Sequence, residues 1–266
     1  MLTLTVIVVC AMLGMAVGFM AGLLGIGGGL IIVPALVYML PLFGVANELV
    51  MPMALATSLA SIVATSSSAA IAHHKNGNIN WTQAKPLMIA VSLGAIAGSF
   101  IADLLSTKAL TTFFAGAVMM LALYMIVSIK VERSKPLPKP WKLNGIGLLT
   151  GGVASLMGIS GGVMIVPTLS YFSVSIRHAI GVATACGLMV AFFGSLGFVI
   201  TGLKQSQLPD FSIGYIYLPA LLGIISTSFL FAPLGVKLAT RLPVKTLKKL
   251  FAGFLIVVAI EMLASS

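Results

Sequence analysis

The sequence predicts an all-α polytopic membrane protein made of two inverted-topology repeats, each a broken helical hairpin plus three full transmembrane helices. Three observations point there. The 266 residues are 59% hydrophobic and 8% charged, whereas about a quarter of the residues in a soluble domain are charged. Apolar runs of about 20 residues recur, the length that crosses a hydrocarbon core about 30 Å thick. The two halves of the chain also repeat each other, in order.

Residues 2–41 are one apolar segment interrupted at 25–29 by a glycine cluster. The first Lys or Arg is Lys75, so residues 2–23 read as a retained membrane helix and not as a cleaved leader. Apolar spans over 48–73, 85–105 and 109–129 complete a first repeat, residues 1–129. Lys130 to Lys142 is polar, basic and proline-rich. Proline lacks a backbone donor and resists both helix and bilayer burial, so residues 130–142 are expected as a cytoplasmic linker. The second repeat, 143–266, has a segment over 143–173 broken at 158–162, then spans over 178–203, 212–236 and 245–264.

The duplication is carried by particular residues. Gly25 to Pro34 reads Gly-Ile-Gly-Gly-Gly-Leu-Ile-Ile-Val-Pro, and Gly158 to Pro167 reads Gly-Ile-Ser-Gly-Gly-Val-Met-Ile-Val-Pro, seven identities in ten at an offset of 133. Ala56-Thr57 returns as Ala183-Thr184, Gly94 to Phe100 as Gly223 to Phe229, and Phe114-Ala115-Gly116 as Phe251-Ala252-Gly253.

Charge decides how the broken segments run. If each enters and leaves on one side, every repeat has three full crossings and the halves are inverted. With the linker inside, Lys75, Lys85, the five linker cations, Arg177 and the five cations of 237–249 all face the cytoplasm, thirteen of the 15 Lys and Arg. That bias is the positive-inside pattern. Both termini are then outside.

Inverted repeats with discontinuous helices are a frequent architecture of secondary transporters, whose sites lie near the midplane where the broken helices meet. Glycine permits the sharp reversals required. The short helices that follow begin with N–H groups lacking intrahelical partners, and two such ends make a cradle for an oxyanion. The expected substrate-binding residues are Gly25, Gly27, Gly28 and Gly29 in the first break and Gly158, Ser160, Gly161 and Gly162 in the second. The hydroxyls of Thr57, Ser58 and Thr184 are candidates to complete it. No carboxylate pair lies at mid-depth, which disfavours a cation path. Asp103 falls near an outer helix end, and His73, His74, Lys75 and His178 near cytoplasmic ends.

Other classes fit less well. The net charge of +10 lies in loops without interleaved aromatics, so no nucleic-acid partner is expected. Cys10 and Cys186 have neither disulfide nor metal spacing. No phosphate-binding loop, dinucleotide fingerprint or metal cluster appears, so no cofactor or metal is expected. Gly158-Ile159-Ser160-Gly161 has the look of an intramembrane serine protease motif. Such a nucleophile needs a histidine base, the only one in that half is His178, and the first copy has Gly27 in place of Ser160. A non-enzyme is expected.

The paired Gly-x-Gly-Gly-Gly…Val-Pro and Gly-x-Ser-Gly-Gly…Val-Pro motifs, the Ala-Thr after each and the chain length resemble the TauE/SafE family of sulfite and sulfonate exporters. The resemblance implies a multi-pass permease of a bacterial-type inner membrane that moves a small organosulfur anion such as sulfite or sulfoacetate outward. Its partners would be that anion and membrane lipid. Uptake, or a channel for another small anion, remains the alternative. Homo-oligomerisation is left open.

Overall fold

A computed structural model describes residues 2–24, 27–127, 136–239 and 244–264. Ten helices account for nearly all of them. In the first half these are α1 (Leu2–Leu24), α2 (Gly29–Leu42), α3 (Asn47–Lys75), α4 (Trp81–Leu104) and α5 (Thr107–Val127). In the second they are α6 (Pro140–Leu156), α7 (Gly162–Tyr171), α8 (Ile176–Gly202), α9 (Leu218–Ala239) and α10 (Val244–Ala264). Within α1, α3, α4, α5 and α8 lie stretches long and apolar enough to cross a membrane. The perimeter is apolar too, with Leu4, Met120, Leu149 and Phe229 each about two-thirds exposed or more. A surface of that kind is stable against lipid and not against water. The protein is a multi-pass helical membrane protein.

Five helices per half repeat in the same order, and the packing exchanges partners between halves. The first helix of each half lies on the fourth helix of the other, α1 on α9 and α6 on α4. Small residues set both crossings. Gly18 abuts the Ser228 backbone, Gly223 abuts Ile7 and Cys10, Gly151 abuts the Val91 carbonyl and Gly98 abuts Gly152. Backbone contacts this close hold apolar helices together by van der Waals packing where no hydrophobic drive exists between them. The order of these contacts makes α1 run with α9, and α6 with α4.

At the core, α3 packs on α8. Leu59 of α3 meets Gly194 of α8, while the end of α3 lies at the start of α8, where the His178 ring bonds the Asn78 carbonyl. The two therefore run antiparallel, although each is the third helix of its half. Both are lined by small buried residues, among them Ala54, Ala56, Ser58, Ala183, Ala185 and Val190.

One expected boundary is corrected. The apolar segment starting at 212 does not begin as helix. Ser212–Ile213 and Ile216–Tyr217 form a two-stranded antiparallel hairpin, β1 and β2, around Gly214 and Tyr215. Gly214 has φ +53 and presses on the Val199 backbone, so the hairpin is tucked against α8, and α9 begins only at Leu218. Tyr215 caps this corner: its hydroxyl donates to Asp103 Oδ1 at 2.7 Å. Burial, with the carboxylate beside it, pushes the Tyr215 phenol up to about 12.

Candidate functional site: two apposed glycine turns

The second break is an orderly helix end followed by a helix start. Gly158 N–H donates to Ser155 O and Ile159 N–H to Ala154 O, both at 3.0 Å, the paired bonds of a left-handed helix stop. The chain reverses through Ser160 and Gly161. Gly161 holds φ +68 and serves as the N-cap of α7; Met164 and Ile165 donate back to its carbonyl at 3.0 and 3.1 Å. The first break ends the same way. Gly28, φ +81, caps α2 and accepts from Ile31 and Ile32, both at 3.0 Å. Any residue with a Cβ would be strained at Gly28 or Gly161. Gly25 lies outside the described residues.

The two turns face each other. A Cβ placed on Gly29 would lie 2.5 Å from the Gly158 carbonyl oxygen and 3.1 Å from Ile159 Cα, and one on Gly27 would lie 3.2 Å from Ser160 Oγ. Their depth is read from the long helices beside them. Gly29 meets Ile62 near the middle of α3, and Gly187 near the middle of α8 meets the Ser160 carbonyl. Irregular backbone thus lies at mid-bundle, walled by protein, where its polar groups escape lipid.

The expected hydroxyls divide by role. Ser58, fully buried, donates to the Gly158 carbonyl at 2.8 Å. Thr57, also fully buried, accepts from Tyr217 N–H at 3.1 Å and ties the hairpin to α3. Ser58 thus braces the second turn, while Thr57 holds the hairpin. Thr184 donates to Ile180 O of its own helix at 2.8 Å. Ser160 is different: among the described residues its hydroxyl makes no hydrogen bond, and it stands between Gly27 and Gly162. The N–H groups of Gly161, Gly162 and Val163 likewise have no partner among the described residues. These donors sit at the positive end of α7, where unpaired N–H groups favour a negative guest.

Sequence reasoning did not find Tyr217, Ile62 or Gly187. Tyr217 follows the Ile-Gly-Tyr-Ile pattern of 213–216, a β-branched and aromatic run around a glycine that signals a hairpin. Ile62 and Gly187 carry no signal beyond apolarity. The histidines gather elsewhere. His73 Nδ1 meets Asn78 Nδ2 at 3.3 Å, Trp81 Nε1 donates to His74 Nδ1 at 3.3 Å, and His178 bonds Asn78 O at 3.0 Å. This cluster joins α3, α4 and α8 at their shared end, remote from the turns. Among the described residues no three His, Cys, Asp or Glu side chains form a metal-ligand set.

A multi-pass helical bundle with two broken helices meeting at mid-depth is the framework of a membrane transporter. The chain matches the Sulfite exporter TauE/SafE family over residues 10–262 and belongs to that family. It is 44% identical over 97% of its length to a probable membrane transporter protein of Haemophilus influenzae, covering 98% of that chain. Similar proteins extend to Xylella fastidiosa (29%, 93% of this chain and 91% of the relative) and Methanocaldococcus jannaschii (24%, 94% and 92%), both described as probable membrane transporter proteins. No solved structure matches it.

Proposed function

We propose that this chain is a secondary transporter of the bacterial inner membrane that exports a small organosulfur oxyanion, sulfite or a sulfonate such as sulfoacetate, by alternating access. The carrying observation is the apposition of the two turns, which sets Ser160 Oγ beside Gly27, together with the Gly161, Gly162 and Val163 N–H groups and the Ser160 hydroxyl that find no hydrogen-bond partner among the described residues. Three amide donors and one hydroxyl match the several acceptor oxygens of a sulfite or sulfonate head. Charge-assisted bonds to such a head are worth about 1.5–3 kcal/mol each. Ser58 keeps the second turn in shape by bonding the Gly158 carbonyl and leaves the N–H donors to the anion.

The antiparallel run of α3 and α8 and the exchanged packing of α1 on α9 and α6 on α4 support repeats related by a pseudo-two-fold axis in the membrane plane. Each α1–α2 and α6–α7 pair is then a hairpin reaching mid-depth from one side. Rocking one half against the other would expose the turns to each side alternately. An inside-negative potential assists anion exit by about 2.3 kcal/mol per charge per 100 mV, so export needs no coupling ion.

Efflux of radiolabelled sulfite from proteoliposomes under an imposed potential tests this. The expected result is saturable efflux that accelerates when the interior is negative and falls when Ser160 is replaced by Ala. Flux that matches empty liposomes for sulfite and sulfoacetate alike removes the proposal; unsaturable conductance makes the protein a channel.

A further inference from the structure

An apolar cavity lies beside the proposed anion site. It is a cleft of about 570 Å³ between α5, α6 and α7, walled by apolar side chains that include Leu121, Leu149, Val153 and Pro167. The hydroxyl of Thr168 in its wall is bonded to Met164 O at 2.7 Å, so that residue adds no free polar group. The cleft runs along α7 from Val163, beside the mid-depth turn, to Phe172 at the helix end. Nine helical rises make roughly 14 Å. Half of a hydrocarbon core is roughly 15 Å. The cleft is therefore one leaflet deep and opens on the side of the linker.

At its mouth the chemistry changes sign. The α6 wall is Ile146, Leu149, Thr150 and Val153, and Lys142 continues the same helical face one turn before Ile146. Lys142 is exposed, and its Nζ lies 5.4 Å from the ring centroid of exposed Trp141. Tyr124 and Tyr171 line the same end. An aromatic and cationic rim over an apolar slot is the arrangement of a lipid interface.

We propose that this cleft binds one acyl chain of an anionic phospholipid in the linker-side leaflet, with its phosphate at Lys142. The depth fixes a chain anchored in one leaflet, the walls fix a hydrocarbon, and the lysine fixes a negative headgroup. The walls are mostly hydrocarbon, which suits an acyl chain better than a small hydrophilic anion. The chain would wedge α5 away from the α6–α7 pair and support the hairpin that carries Ser160.

The test is lipid binding to delipidated protein in detergent, followed by native mass spectrometry with phosphatidylglycerol and with phosphatidylcholine of the same acyl chains. One lysine at an anionic surface predicts about fivefold tighter binding of phosphatidylglycerol. Lys142→Gln should bring the two lipids level, and Leu149→Trp, at a site 68% exposed, should fill the cleft and weaken both. Phosphatidylglycerol with a photoreactive group at the chain end should label the peptides holding Val153 and Met164, a readout that needs no variant. Equal affinity for the two lipids in the unaltered protein, a preference that survives Lys142→Gln, or labelling spread over the other helices overturns the proposal.

Discussion

Replacing Gly29 with Ala is the sharpest steric test of the apposed turns. The new methyl would stand 2.5 Å from the Gly158 carbonyl oxygen, 2.9 Å from Ile62 Cδ1 and 3.1 Å from Ile159 Cα. Ile62 can turn aside, but the carbonyl cannot, because Ser58 holds it at 2.8 Å. An ordinary carbon–oxygen contact therefore requires the two turns to separate by about 1 Å, and overpacking of this kind costs roughly 1–3 kcal/mol. Separation also withdraws a donor from the anion. Loss of one charge-assisted bond of about 1.5–3 kcal/mol lowers affinity on the order of tenfold or more. Gly116→Ala is the control, since no heavy atom lies within 4 Å of its Cβ position. The assay is thermal unfolding of purified protein together with sulfite efflux from proteoliposomes. Gly29→Ala should lower both and Gly116→Ala neither. Equal behaviour of the two variants would refute the reasoning.

Three further outcomes follow. Ser58→Ala leaves the Gly158 carbonyl buried without its donor and should destabilise the protein by about 1–3 kcal/mol, read as a lower unfolding midpoint. Tyr215→Phe removes the bond to Asp103, and it should also change the alkaline limit. The Tyr215 phenol is raised to about 12 from 10, so its contribution is complete below pH about 10 and is lost as pH rises toward about 12. Unfolding midpoints of the unaltered protein should therefore converge on those of Tyr215→Phe across that window; parallel curves would show the bond to be unimportant. Reporter tags at residue 140 and at the C-terminus should lie on opposite sides of the membrane, and a shared side would end the inverted-repeat account.

The sequence exposed the broken helices because glycine is the one residue whose absence of a side chain is visible as a break in an apolar run. Gly28 and Gly161 are recognisable as turn residues from the sequence alone, and the repetition pairs the two turns. Hydroxyl roles were not legible. Thr57 and Thr184 occupy matching places after the two turns, yet Thr57 accepts from Tyr217 N–H and Thr184 bonds Ile180 O. Which partner a hydroxyl meets depends on a hairpin 160 residues away, and no local pattern records it. The start of α9 was misplaced for a related reason. Ile213, Tyr215, Ile216 and Tyr217 are apolar enough to extend a helical span, and hydropathy alone does not distinguish a tucked hairpin from a helix turn.

The apposition of the turns can be measured directly by a cross-link. A Cβ on Gly27 would lie 3.5 Å from Ser160 Cβ, within the separation of about 3.5–4.5 Å that a disulfide spans. In a chain carrying Gly27→Cys and Ser160→Cys, with Cys10 and Cys186 replaced by Ala, oxidation should join the two halves. Protease cleavage in the Lys130–Lys142 linker should then leave one band until thiol is added, and two bands afterwards. Two bands under oxidising conditions would mean that the turns do not meet, and with that the anion site would be lost.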